Sequence, residues 1–257
     1  MHLPAFLSRE ELERVERLCE EVVARWYARH HGEPWLYRTT NMAGLTDPSL
    51  HGSPDDLVAL VELIADERIL GVLRACGGHE PLFHNSQFFF EQRRESWDGD
   101  WHRDTQFDAR DDDDERERMT RHTGVHFRIA CEPDSFLEIV PGSHRRWDTD
   151  LELAIRRSSD PLIRSTAKMA GARHISLERG DALLFHAWSI HRGSYRTEPR
   201  RRTLDLIYGW PSACPHAVPS PYCFSDDSVL PLLSPSARRF YERFITAYRT
   251  KWEQSSG

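Results

Sequence analysis

The sequence predicts a mainly β chain with flanking helices around a double-stranded β-helix (jelly roll, cupin-like) core, on three observations. Helical periodicity is confined to the two ends. Short aromatic and β-branched segments bounded by Gly, Pro and Asp fill the middle, and no strand-helix alternation of the βαβ kind joins them. The length of 257 residues and a hydrophobic content of 39% suit a single domain with a sizeable core.

Ser8 and Glu11 form a capping-box pattern, and Leu12, Val15, Leu18, Val22 and Trp26 recur at helical spacing until Gly32 and Pro34 stop the run. A second helix starts at Ser53 with Pro54 first and Asp55 and Asp56 near its positive end. It runs through Leu57, Leu60, Ile64 and Leu73 toward Gly77-Gly78, with a break expected near Asp66. The period then changes: FHNSQFFFEQ, TGVHFRIAC, FLEIVPG, DALLFHAWSIH and RRTLDLIYG read as strands. A last helix follows Ser234-Pro235, with Phe240, Phe244, Ile245 and Tyr248 along one face. The chain thus divides into a helical part over about 1–78, a jelly-roll core over about 80–210 and a C-terminal helix over about 234–253.

Two segments interrupt the core. Residues 108–123, DARDDDDERERMTRHT, carry mixed charge without periodicity and read as a solvated loop, or as a mobile lid over whatever the preceding residues build. Residues 211–228 are rich in Pro and Ser and read as an ordered surface connection.

The formal charge of −7, with 34 basic residues scattered among 41 acidic ones, excludes a basic nucleic-acid footprint and favours a small-molecule partner. No apolar run has the length of a membrane span, and MHLPAFLSREE lacks the form of a targeting leader. Five cysteines without paired short spacing fit neither a disulfide framework nor a zinc ribbon, so a reducing, cytoplasmic setting is expected. Only Lys168 and Lys251 are lysine, a skew that GC-rich codon usage explains. There is no internal repeat, Gly-rich phosphate loop or nucleophile elbow.

The chemistry concentrates in GDWHRDTQF, residues 99–107. His102 and Asp104, two apart on an extended segment, can offer an imidazole nitrogen and a carboxylate oxygen to one ion. About one His-x-Asp triplet is expected by chance in a chain this rich in both residues, so a third donor is needed. GDALLFHAWSIHRGS supplies two candidates, His186 and His191. Two histidines and a carboxylate form the facial triad of non-haem Fe(II) oxygenases, which leaves open positions for cosubstrate and O2. Downstream, Arg200, Arg201 and Arg202 stand before an apolar strand, and a planar guanidinium is suited to hold the far carboxylate of 2-oxoglutarate.

The order His-x-Asp, then LEIVPGSH at 137–144, then Gly180-Asp181, then a His and an Arg eleven residues later resembles the phytanoyl-CoA dioxygenase family of Fe(II)- and 2-oxoglutarate-dependent oxygenases, over about residues 80–210. The resemblance implies that His102, Asp104 and His191 hold iron and that Arg202 anchors 2-oxoglutarate. His186 falls outside the pattern and reads as a packing or supporting histidine on the same strand system. The family writes His-Gly-Ser where this chain has His-Arg-Gly-Ser, which leaves Arg201 a rival; alternation favours Arg202, which shares a face with Leu204, Leu206 and Tyr208. Many members carry a lysine near position 91, where this chain has Glu91.

Gln87 and Phe89 share a strand face, so Gln87 either touches cosubstrate or substrate or is a buried, hydrogen-bonded side chain. His126 and Arg128 share a face turned to pocket or to solvent. Trp97, Trp101 and Trp188 pack in the core or stack on substrate, and the Pro141-Gly142-Ser143-His144 turn needs no catalytic role. The resemblance implies that O2 decarboxylates 2-oxoglutarate to succinate and CO2 while hydrogen is abstracted from a substrate carbon, giving hydroxylation or oxidative cyclisation. Asp104 argues against halogenation, which leaves a carboxylate out of the ligand set. The expected substrate is a small, saccharide-containing secondary metabolite. The alternatives are an acyl-CoA or carrier-linked acyl group, a cupin-like enzyme without 2-oxoglutarate, and a non-enzymatic ligand-binding jelly roll.

Overall fold

The computed structural model describes residues 1–107, 109–121, 124–210, 224 and 228–255. In chain order its elements are β1 (His2–Leu3), α1 (Arg9–Arg29), β2 (Asn41–Met42), α2 (Pro54–Ile64), α3 (Glu67–Gly77), β3 (Leu82–Phe90), β4 (Trp97–Asp98), α4 (Asp112–Arg121), β5 (Gly124–Ala130), β6 (Asp134–Ile139), α5 (Asp150–Arg156), α6 (Pro161–Thr166), β7 (Arg173–Leu177), β8 (Ala182–His186), β9 (His191–Tyr195), β10 (Arg202–Gly209) and α7 (Pro235–Ser255). Two antiparallel sheets face each other as in a jelly roll, one in the order β1-β8-β5-β10-β3-β2 and the other β4-β9-β6-β7.

The helical ends form as their sequence dictates. Ser8 and Glu11 cap α1 reciprocally. The expected break falls at Ala65–Asp66, where Asp66 accepts from the Arg68 backbone N–H and so starts a new helix, α3. Gly78 ends α3 with φ +68°, a left-handed conformation natural to glycine. The apolar faces of α1, α2, α3 and α7 cover the outer face of the six-stranded sheet, where Phe88, Phe127, Leu204, Leu206 and Tyr208 are buried in one core. A smaller apolar plug of Leu137, Ile139, Leu177, Leu183 and Phe185 fills part of the space between the sheets. The rest of that space is a cavity.

Several segments depart from expectation. The helices α5 and α6 lie inside the core region, where helical periodicity was expected only at the two ends; at seven and six residues they are too short to show that period, and their caps Thr149 and Asp160 start them. Residues Asp112–Arg121, expected as loop or lid, form α4, and its Glu115 is fully buried. Glu115 accepts from Thr105 Oγ1 at 3.0 Å, from Arg156 Nη2 at 3.3 Å and from Arg157 Nη2 at 2.6 Å. A carboxylate so held is not solvated charge, and these partners fix the helix against the body of the protein. The stretch DALLFHAWSIH is not one strand: it turns at Ala187–Ile190, with the Ser189 backbone N–H donating to His186 O at 2.9 Å, so β8 and β9 lie in different sheets. The Pro- and Ser-rich connection over 211–228 lies largely outside the described residues. No helix among the described residues is long and apolar enough to cross a membrane.

Candidate active site

A cavity of about 410 Å³ between the sheets is lined by His102, Asp104 and His191 at one level and by Arg128 and Arg201 elsewhere. His102 and His191 are brought together by an isolated antiparallel bridge in which each backbone N–H donates to the other's carbonyl at 2.9 Å. Their rings lie 4.2 Å apart. Asp104 is not on a regular strand as the i, i+2 argument assumed; it opens a short 3-10 turn, Asp104–Phe107, with its backbone N–H donating to Ala187 O at 3.2 Å.

The flanks of Asp104 are pinned. Arg103, fully buried, donates to Asp148 Oδ1 from Nε at 2.9 Å and to Ser143 O from Nη1 at 3.0 Å. Thr105 is held by Glu115. The Pro141-Gly142-Ser143 turn supports His191: Ser143 Oγ donates to Val140 O at 2.7 Å and accepts from the Ile190 N–H at 2.8 Å. That turn is structural, and its φ of +78° at Gly142 is the reason for glycine there.

The donor set fits a metal ion. His102 Nδ1 faces Asp100 O at 2.7 Å and His191 Nδ1 faces Ser189 O at 2.9 Å. A carbonyl only accepts, so both Nδ1 atoms carry the proton and both Nε2 lone pairs are left toward Asp104 Oδ1, at 3.5 and 3.7 Å. One donor atom from each of the three residues lies within 4.8 Å of the others. Burial and the neighbouring His102 press the His191 pKa down to about 3, which keeps it neutral as a ligand must be. Enclosure opposes the charge on Asp104, but His191, His126 and His102 override it and hold its carboxyl well below the usual range.

His126, left undecided by the sequence, faces the cavity. Its Nε2 meets Asp104 Oδ2 at 2.8 Å and its Nδ1 meets Asp205 at 3.1 Å. Both partners accept, so both ring nitrogens donate; burial works against this cation, but Asp205 and Asp104 push its pKa up to about 10. Asp104 therefore keeps one oxygen oriented by His126 while the other faces His102 and His191. Asp205 was missed, although a lone acid inside the apolar strand RTLDLIYG is itself a signal.

The arginines reverse the alternation argument. Arg202 lies outside the cavity and pairs with Glu20 and Glu91 beside α1. The face it shares with Leu204, Leu206 and Tyr208 is the one that packs on the helices, so an apolar face does not mark the cavity side. Arg201, only 2% exposed, lines the cavity instead, close over the rings of Phe89 at 4.7 Å and Phe136 at 4.9 Å. Its Nε and Nη1 are buried without a partner, and its nearest carboxylate, Asp134, is 3.8 Å away. A buried cation lacking a hydrogen-bonded counter-ion fits an anionic ligand.

Gln87 lines the cavity opposite Asp205 in the strand register. His186 ends β8 away from the donor cluster, stacked on His144 at 5.0 Å and accepting the Trp188 backbone N–H at 3.1 Å. Trp188 lines the cavity. Trp101 is core, with Nε1 donating to Ala167 O at 2.9 Å, and Trp97 packs on Tyr195. Phe107, not singled out by the sequence, is 70% exposed at the cavity with its ring 5.3 Å from His102.

An imidazole-carboxylate-imidazole cluster inside a jelly roll is a donor set that could hold one metal ion. Residues 1–203 match the family model described as Phytanoyl-CoA dioxygenase (PhyH), and the chain belongs to that family, whose members are Fe(II)- and 2-oxoglutarate-dependent dioxygenases. No curated protein matches. Among solved structures, AviO1 from Streptomyces viridochromogenes Tue57 is 17% identical with a TM-score of 0.58, covering 83% of this chain and 90% of that one. Apo EctD from S. alaskensis is 19% identical with a TM-score of 0.60, covering 86% and 75%. HygX from Streptomyces hygroscopicus, with nickel and 2-oxoglutarate bound, is 16% identical with a TM-score of 0.56, covering 81% of each chain. At these identities the likeness establishes a shared fold.

Proposed function

We propose that His102, Asp104 and His191 hold the iron and that Arg201, rather than Arg202, binds the far carboxylate of 2-oxoglutarate, in an enzyme that hydroxylates or oxidatively cyclises a small, saccharide-containing secondary metabolite. The observation that carries the reading is the meeting in one cavity of the three-donor cluster and the buried Arg201 guanidinium, whose Nε and Nη1 have no hydrogen-bond partner. The bound iron, with 2-oxoglutarate and O2, supplies the oxidising power, and succinate and CO2 are the coproducts. The chain's residues do the rest. His126 fixes the free oxygen of Asp104, Arg201 orients the cosubstrate, and Gln87, which lines the same cavity, touches it. Phe89 and Phe136 exclude water from the anionic end.

The substrate reading is supported by what lines the remainder of the cavity. Asn41, Asn85, Phe107 and Trp188 offer amides for hydroxyls and ring faces for a sugar. Among the described residues no Lys or Arg other than Arg128 and Arg201 lines the cavity. The arginines between 192 and 202 do not form a phosphate surface: Arg192 pairs with Glu138, Arg196 with Asp98, and Arg200 and Arg202 share Glu20. That speaks against an acyl-CoA or carrier-linked substrate. Relatives of similar fold include SnoN, described as an epimerase in complex with Fe3+, alpha ketoglutarate and nogalamycin RO, with a TM-score of 0.51. Cys19, Cys76 and Cys131 are free thiols, in keeping with a cytoplasmic setting.

The test is anaerobic addition of Fe(II) and 2-oxoglutarate, followed by succinate production across glycosides, acyl-CoA thioesters and free amino acids. A visible charge-transfer band is expected from the wild type and from His186→Ala but not from His191→Ala. Turnover confined to thioesters or amino acids would overturn the substrate, and absence of the band would overturn the site.

A further inference from the structure

Arg128 is the other guanidinium of the cavity. It lies on β5 two residues beyond His126, and the strand register sets it opposite Asp205. The side chain is buried, at 5% residue exposure, yet only one of its nitrogens has a partner: Nη2 donates to Asp205 Oδ2 at 2.8 Å, while Nε and Nη1 have none. Asp205 is shared with His126, so it does not serve Arg128 alone. A buried donor without an acceptor costs on the order of 1 to 3 kcal/mol, and Arg128 and Arg201 together keep four such atoms.

Both guanidiniums line the cavity and lie close to one aromatic ring. The Arg128 Cζ is 5.1 Å from the centre of the Phe89 ring and the Arg201 Cζ is 4.7 Å from the same centre. Phe185, 5.6 Å from Arg128, and Phe136 and Tyr195 beside Arg201 complete an apolar surround. The buried carboxylate of Asp134 faces both cations, but at 3.8 Å from Arg201 it is beyond hydrogen-bond distance and accepts instead from Thr203 Oγ1 and the Phe136 backbone N–H, so the free guanidinium donors still lack an acceptor; a ligand carboxylate has two oxygens that can accept from both.

We propose that Arg128 and Arg201 form a two-guanidinium clamp on the far carboxylate of the cosubstrate, which makes Arg128 a second determinant of cosubstrate specificity. The clamp rests on the reading of this cavity as the 2-oxoglutarate site. Asp205 acts as a positioning residue: it holds one edge of Arg128 and leaves the Nε and Nη1 donors to the ligand.

The test compares two keto acids that share the metal-binding end. 2-Oxopentanoate carries a methyl group where 2-oxoglutarate carries its far carboxylate. Each is titrated anaerobically into the Fe(II)-loaded protein, and the charge-transfer absorption reports binding without turnover. In Arg128→Gln, the Kd for 2-oxoglutarate should rise at least tenfold while that for 2-oxopentanoate stays within twofold. The preference for the dicarboxylate therefore falls at least fivefold. Arg128→Lys keeps a cation beside Asp205 and guards against a folding defect; it should give the same direction with a smaller shift. Equal weakening of both keto acids, or a preference that survives both variants, would overturn the clamp and leave Arg128 as a counter-ion to Asp205. A wild-type protein that binds neither keto acid would overturn the reading of the site itself.

Discussion

Replacing Arg201 and Arg202 separately by Ala distinguishes two neighbours that sequence alternation ranks in the wrong order for facing the cavity. Arg201 is 2% exposed, has two unpartnered nitrogens and lies against Phe89 and Phe136, where solvent does not screen it. Losing one partner of a buried charge-assisted pair typically costs about 2 to 5 kcal/mol. At about 1.4 kcal/mol per factor of ten, Arg201→Ala should raise the Kd for 2-oxoglutarate roughly 30-fold to several thousandfold. Arg202 already has two carboxylate partners, Glu20 and Glu91, both partly open to solvent. Its removal should therefore lower stability by about 1 kcal/mol and change the Kd less than twofold. Anaerobic titration of the Fe(II)-loaded protein, with the melting temperature recorded on the same samples, measures both. A tenfold loss of affinity in Arg202→Ala beside an unaffected Arg201→Ala would refute the reasoning.

Two further predictions concern stability. Glu115→Ala leaves two buried arginines, Arg156 and Arg103, sharing the single carboxylate of Asp148 and frees α4 from Thr105 and Arg157, so urea denaturation should show a loss of about 3 to 5 kcal/mol; a loss below 1 kcal/mol would show that α4 is held by other means. Glu152 has a carboxyl held down to about 2 by Arg146 and by the Thr149 cap, against an ordinary value of 4.5. The folded state thus takes up its proton later than the unfolded chain: the stabilisation is whole above about pH 4.5 and is lost as pH falls toward 2. Because the Arg146 side chain is 43% exposed, the amount is about 1 to 2 kcal/mol, and Glu152→Gln should flatten that part of the acid limb in denaturation measured between pH 5 and 2.

The sequence by itself determined the main helices at both ends, the long strands β3, β5, β6, β8 and β10, and the three donor residues that the structure brings together. Helical and strand periods are local, and caps such as Ser8 and Asp66 act within a few residues, so a short window contains the cause. His102, Asp104 and His191 were legible because metal chemistry restricts donors to a few residue types in a recognisable order. Tertiary structure alone decided which face of β10 lines the cavity. Both faces are buried, one under helices and one between sheets, so alternation separates Arg201 from Arg202 without saying which looks inward. It also decided that α4 is a helix, because the partners of Glu115 lie at Arg156 and Arg157, far outside any local pattern of charge. The turn at Ala187–Ile190 sends His186 and His191 into different sheets, and His126, Arg128 and Asp205 meet only when β5 and β10 pair. Each of these outcomes depends on contacts between residues distant in the chain, and such contacts exist only after the sheets have closed on each other.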